Sequence, residues 1–143
     1  MTKTEAFKAF NVELLNTRWS WSGISVDKKH VVSTIWTDEC VWDKEKRIYL
    51  TKITEEWNYN WKSDKGNIER IKHFKYCIEE LDSMFWVVFV KPKKIIFDEA
   101  REAKDHTPYK KMMFKLTDFN SKTGLFKSES IPETIGIYEK NFQ

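Results

Sequence analysis

One short stretch, MFWVVFV at residues 84–90, constrains the fold of this chain more than any other because it is apolar on both faces. Successive side chains of a β-strand point to opposite sides of the sheet, so such a strand has to be covered on both sides. The stretch is far too short to cross a bilayer. It therefore predicts a central strand at 85–91.

The segment before this strand has the clearest helical pattern in the chain. Asn67 is a favourable N-cap residue, and apolar side chains follow it at helical intervals. These apolar residues are Ile68, Ile71, Phe74, Ile78 and Leu81. We expect a continuous helix over 67–82, with Ile71, Phe74 and Ile78 buried against a sheet.

The remaining elements complete an α+β order in one domain, residues 1–143. Thr2 and Glu5 have the spacing of a capping box, which predicts a first helix over 2–16. Strands are predicted at 20–26, 30–38, 47–53, 112–119 and 125–131, the first pair and the last pair as hairpins, with a short polar helix at 98–105. This order predicts a curved, mostly antiparallel sheet or a small barrel, closed on one side by the long helix.

Composition excludes several classes of protein. Cys40 and Cys77 are too few for a disulfide framework and are predicted to be reduced thiols. His30, His73 and His106 lack the spacing of metal ligands, so no metal or cofactor is expected. The start of the chain has no long apolar run, which predicts a cytoplasmic protein without a signal peptide or membrane contact.

Seven tryptophans are the unusual feature of the composition. Trp86 lies in the apolar strand and is expected in the core. Trp21 and Trp36 lie on strands that should pair, beside small residues that leave room for a flat ligand, and segment 55–62 alternates aromatic and polar side chains like the lip of a pocket. The predicted ligand-binding residues are Trp21, Trp36, Trp57, Ser22 and Asn58.

The opening pair of tryptophans carries a sharper expectation. Trp21 lies beside Gly23, which has no side chain to cover it, so we expect a ligand to lie against its indole ring. Trp19, at the start of the strand, is expected in the core.

Basic residues cluster although the net charge is only +3 and the pI is near 8.7. Such clusters are often solvated loops, but they can also hold the phosphates of a nucleic acid. The long helix concentrates basic residues in its first half, against the preference of the helix dipole. The predicted phosphate-binding residues are Arg18, Arg47, Arg70, Lys72 and Lys75.

Signatures of catalysis are sparse. The four glycines form no phosphate-binding fingerprint, and there is no Gly-x-Ser-x-Gly elbow. Residues 38–46 combine several acids with a lysine, the residue types of a metal-dependent nuclease, although acids in this position often form turns. This candidate metal cluster consists of Asp38, Glu39, Asp43 and Glu45, with Lys46 beside it.

Five stretches of the sequence resemble a group of small bacterial single-domain proteins. They are NTRWSWSG, VVSTIWTDE, GNIERIKHFKYC, FWVVFV and KLTDFNSKTGLFKSE, and the resemblance covers residues 7–130. It implies a self-contained domain and brings no activity with it. The chain is also loosely similar to the PUA-like barrels, including the EVE, ASCH and SRA domains that read modified bases, although their diagnostic motifs are missing from it.

These features together favour a non-enzymatic nucleic-acid-binding module, a reader of modified bases through an aromatic pocket with a basic rim. A metal-dependent nuclease, or another small enzyme acting on nucleic acid, is the first alternative. A pocket for a small apolar or aromatic ligand is the second, and a protein-interaction module with a Trp-rich core is the third.

Overall fold

The computed structural model describes residues 1–53, 61–93 and 102–142. These residues form an α+β fold with three α-helices and one seven-stranded mixed sheet that is not closed. Its elements are α1 (Lys3–Lys8), β1 (Ser22–Ile24), β2 (Val31–Trp36), β3 (Cys40–Asp43), β4 (Ile48–Lys52), α2 (Lys65–Glu80), β5 (Met84–Pro92), β6 (Ala103–Phe119), β7 (Phe126–Ile131) and α3 (Ile137–Phe142). The strand order is β1-β2-β5-β6-β7-β4-β3.

The apolar stretch is β5, an interior strand as predicted, and it pairs with β2 on one side and β6 on the other. Both predicted hairpins are present, as β1–β2 and β6–β7. The β2–β5 pairing is parallel, with Val32 opposite Trp86, whereas all other pairings among the described strands are antiparallel. A parallel neighbour needs a long crossover, and here the crossover contains β3, β4 and α2.

Side chains of β5 alternate between two core clusters, one on each face of the sheet. Trp86 and Val88 belong to a cluster with Phe7 and Phe10 from the region of α1. Phe85 and Val87 belong to a second cluster, which contains Phe74 of α2. Helices α1 and α2 therefore pack on opposite faces, which is why β5 has to be apolar throughout.

The first helix begins as predicted and ends early. Thr2 and Glu5 form the complete capping box, and Phe7 is buried on the inner side of α1. The helix stops at Lys8 rather than continuing to residue 16, and Asn11 has a left-handed φ of 58°. The chain thereby turns back, and Val12 is buried in the same cluster as Phe7.

The buried face of α2 differs from the predicted apolar stripe. Phe74 is fully buried as expected, but Ile68 and Ile78 are 48% and 43% exposed. The buried positions are Gly66, Asn67, Glu69, Arg70, Phe74 and Cys77. Polar side chains occupy this face because tertiary contacts outside the helix hold them, so the hydrophobic pattern misplaces its orientation.

Asn67 is one of these polar side chains, and its predicted role as N-cap is wrong. The cap position is Asp64, and Asn67 lies within the first turns of α2. Its Nδ2 donates to the carbonyl oxygens of Lys62 at 3.0 Å and Thr123 at 2.9 Å. It thereby ties α2 to the β6–β7 turn, where Gly124 has a φ of +85° and any side chain would collide with Asn67.

The structure contains one strand that was not predicted and corrects one predicted helix. Strand β3 was not among the predicted strands; it pairs with β4 through a tight turn at Asp43, whose Oδ1 accepts the backbone N–H groups of Glu45 and Lys46. The helix expected at 98–105 lies partly outside the described residues, and its last residues, 103–105, belong to β6. In the described ranges no helix has both the length and the apolar character needed to span a membrane.

Candidate functional site

A cavity of about 470 Å³ opens beside the ends of β2, β4 and β5, where the loop before β1 meets the start of α2. Its floor includes a row across three strands, in which Trp36 of β2 lies opposite Val90 of β5 and Val90 lies opposite His106 of β6. Directly opposite residues point to the same face, so these side chains line the cavity together. Lys3 of α1 and Arg70 of α2 also line the cavity.

Four of the predicted site residues line this cavity: Trp21, Trp36, Arg18 and Arg70. Sequence positions 18 to 70 are thus brought together by the fold at one site. Trp36 and Trp21 are both half-buried, which leaves part of each indole ring accessible.

The other predicted residues lie elsewhere. Ser22 is fully buried and its Oγ is 2.7 Å from Nδ1 of His73, so it joins β1 to α2 and does not line the cavity. Arg47 lies in the β3–β4 turn, and Lys72 and Lys75 are exposed on α2, away from the lining. The remaining two predictions, Trp57 and Asn58, fall outside the described residues.

Sequence reasoning missed several residues of the lining. Trp61 was not among the predicted ligand-binding residues, although it belongs to segment 55–62, which was predicted to form the lip of a pocket. Lys3, Lys52 and His106 gave no signal in the sequence, because only the packing of α1, β4 and β6 brings them to the cavity.

Arg70 packs against two aromatic rings in the cavity wall. Its guanidinium carbon is 5.1 Å from the ring centroids of both Trp21 and Phe126, within the range of a cation–π interaction. The residue is only 6% exposed, and its Nε has no hydrogen-bond partner among the described residues. Burial lowers the pKa of Arg70 to about 10, opposed by Glu39, so the group remains a cation at neutral pH.

Trp21 supports Arg70 rather than standing open to a ligand on both faces. The guanidinium covers one face of the indole, and a Cβ at position 66 would lie 2.5 Å from its Nε1. Gly66 therefore allows the ring to lie against the start of α2. The gap expected beside Gly23 is filled, since a Cβ there would lie 2.3 Å from Cγ1 of Val12.

The loop before β1 is fixed by hydrogen bonds at the edge of the cavity. Oδ1 of Asn16 accepts the backbone N–H groups of Arg18 at 2.8 Å and Trp19 at 3.2 Å. Nζ of Lys3 donates to the carbonyl oxygens of Arg18 at 3.1 Å and Ser20 at 2.9 Å. These bonds leave the exposed side chain of Arg18 at the rim of an ordered loop.

The other tryptophans divide between the core and the surface. Trp86 is fully buried as predicted, and its Nε1 donates to Nδ1 of His30 at 3.2 Å. Trp19, expected in the core, is half-buried and belongs to neither core cluster, and Nζ of Lys65 lies 6.0 Å above its ring. Trp42 is 44% exposed and packs edge-on against Tyr49, away from the cavity.

The side chains considered as candidates for catalysis have structural surroundings rather than the arrangement of a catalytic site. The described residues contain no cluster of three or more His, Cys, Asp or Glu side chains that could hold a metal ion. Of the acidic cluster, Asp43 forms a turn and Glu39 lines the cavity. Burial raises the pKa of Cys77 to about 12, and burial together with Lys72 lowers the pKa of His73 to about 4, so both side chains are neutral at neutral pH.

Fold and cavity together define an α+β protein in which one cavity combines indole rings with a buried cation and an exposed cationic rim. The chain matches no family model, no curated protein and no solved structure.

Proposed function

We propose that this chain is a non-enzymatic nucleic-acid-binding module that takes a base, in particular a modified base, into the cavity beside β2 and β5. The observation that carries the proposal is the convergence of Trp21, Trp36 and Trp61 on one cavity with Arg18 and Arg70. The proposal extends to a PUA-like relationship, in which α2 is the long helix across the sheet. The packing of α2 against β1, β2 and β5 supports it.

Stacking would supply the affinity for the base. Each base that stacks on an aromatic side chain contributes about 1–3 kcal/mol without regard to sequence. Because Arg70 covers one face of Trp21, the half-buried rings of Trp36 and Trp61 are the better stacking surfaces. The volume of about 470 Å³ is in the usual range for small-molecule pockets, large enough for a base turned out of a duplex.

The exposed cations of the rim would hold the backbone outside the cavity. Arg18 and Lys52 are both exposed and both line it. Phosphate contacts of this kind position a nucleic acid without reading its sequence. A cationic rim also favours this proposal over a pocket for an uncharged apolar ligand, and no arrangement of the described acids favours the nuclease.

The test is fluorescence anisotropy with labelled single-stranded, double-stranded and base-modified oligonucleotides at low salt. Trp61→Ala should weaken binding by about 1–3 kcal/mol, the contribution of one stacked base. Trp42→Ala is the matched control, because Trp42 is exposed and lies away from the cavity. Failure of the unaltered protein to bind any of these oligonucleotides would remove the proposal.

Salt dependence gives a second, independent check on the rim. Log affinity should fall linearly with log salt concentration, with a slope of about −0.7 to −0.9 for each phosphate neutralised. Arg18→Ala should reduce that slope by about one contact, whereas Arg47→Ala should leave it unchanged because Arg47 does not line the cavity. Equal effects of the two substitutions would place the backbone contact elsewhere.

A further inference from the structure

Arg70 differs from the other cations of the cavity in its burial. Arg18 and Lys52 are exposed and Lys3 is half-buried, whereas Arg70 is 6% exposed. Its guanidinium carbon lies 5.1 Å from the ring centroids of Trp21 and Phe126, and the residue still lines the cavity. The N–H donors lie along the edge of the planar guanidinium group.

That edge carries only hydrogen-bond donors. A guanidinium has five N–H donors and no acceptor. Nε of Arg70 is enclosed without a hydrogen-bond partner among the described residues, so it is not the atom that meets a ligand. Because Arg70 lines the cavity, a ligand that turns acceptor atoms toward it meets a buried cation that offers only donors. A ligand with an amino group there adds a second unpaired donor.

We infer that the cavity selects a base that turns an acceptor edge, an oxo group or a carboxylate, toward Arg70, and rejects a base that presents an amino group there. The inference rests on the proposed function and gives Arg70 a role inside the cavity rather than at a phosphate. Trp21 and Phe126 then act as positioning residues, because both rings contact the guanidinium group.

The experiment uses short labelled strands that are abasic except at one central nucleotide. Three matched pairs differ in the acceptor: guanine against adenine, thymine against cytosine, and 5-carboxylcytosine against 5-methylcytosine. A good bidentate contact with a base discriminates by 1–3 kcal/mol, so within each pair the acceptor-bearing strand should bind about 5- to 150-fold more tightly. Equal affinities within all three pairs would overturn the inference and leave the proposed function standing, whereas no binding of any strand would overturn both.

Variants of Arg70 then assign the preference to this residue. Arg70→Met removes the donors and should bring the affinity ratio of each pair close to one. Arg70→Lys, which keeps the charge, should lower the ratio for guanine over adenine because an ammonium group cannot make two parallel bonds. Lys72→Met is the control, since Lys72 is exposed on the same helix and outside the lining. An unchanged ratio in a folded Arg70 variant would overturn the inference.

Discussion

The orientation of α2 can be tested by two alanine substitutions one turn apart, Phe74→Ala and Ile78→Ala. The hydrophobic pattern predicts that both side chains are buried, whereas the structure buries Phe74 completely and leaves Ile78 43% exposed. The two substitutions therefore separate the sequence-based orientation from the observed one.

The expected loss for Phe74→Ala follows from its surroundings. Its ring centroid lies 5.2 Å from that of Phe85, 5.7 Å from Phe119 and 4.8 Å from Phe126. Truncating a buried Phe to Ala costs about 3–5 kcal/mol, and the rigid rings around this site should limit collapse and favour the upper part of that range. At about 0.05–0.15 kcal/mol per residue the 143-residue chain has roughly 7–21 kcal/mol of stability, so the variant should still fold.

Circular dichroism during thermal and urea unfolding measures the difference. One kcal/mol shifts the melting temperature of a domain of this size by about 2–4 °C, so Phe74→Ala should lower it by roughly 6–20 °C. Ile78→Ala should change stability by no more than about 0.5 kcal/mol, as for other surface substitutions. Similar losses for the two variants would refute the observed orientation of α2.

Two further substitutions test the cavity wall and the buried polar contact between β1 and α2. Gly66→Ala places a methyl group 2.5 Å from Nε1 of Trp21. The overpacking should cost about 1–3 kcal/mol of stability, and the higher helix propensity of alanine should offset about 1 kcal/mol of that cost. Oligonucleotide binding should weaken because the ring of Trp21 has to move. Gly136→Ala is its control, because Gly136 has nothing within 4 Å and a φ of +90°, so it should cost about 1–2 kcal/mol of backbone strain and leave binding unchanged. Burial and Lys72 lower the pKa of His73 to about 4 in the folded protein, whereas the same imidazole has a pKa near 6.5 in the unfolded chain. The contribution of His73 to the free energy of unfolding should therefore be complete above pH 6.5 and fall by up to about 3 kcal/mol as the pH drops to 4. In urea titrations, His73→Gln should reduce this dependence of stability on pH. The same pH dependence in both proteins would contradict a buried, neutral His73.

The sequence by itself determined the features that depend on neighbours along the chain. The capping box of Thr2 and Glu5 is local, and so are the turns of the β1–β2 and β6–β7 hairpins. The central position of β5 also follows from local composition, because a strand that is apolar on both faces has to lie in the interior of a sheet that is covered on both sides. Trp21 and Trp36, which the tryptophan-rich stretches singled out, both line the cavity, and their role in binding a ligand stays a prediction.

The tertiary structure alone decided which face of α2 is buried and what the cavity contains. Asn67 faces inward because the carbonyl group of Thr123, 56 residues away in the sequence, accepts a hydrogen bond from it. Arg70 faces inward because the rings of Trp21 and Phe126 meet it there. A hydrophobic pattern assigns polar residues to solvent, since it has no means of registering partners far away in the sequence. The parallel pairing of β2 with β5 is equally non-local, and it is this pairing that places Trp36 in one row with Val90 and builds the floor of the cavity.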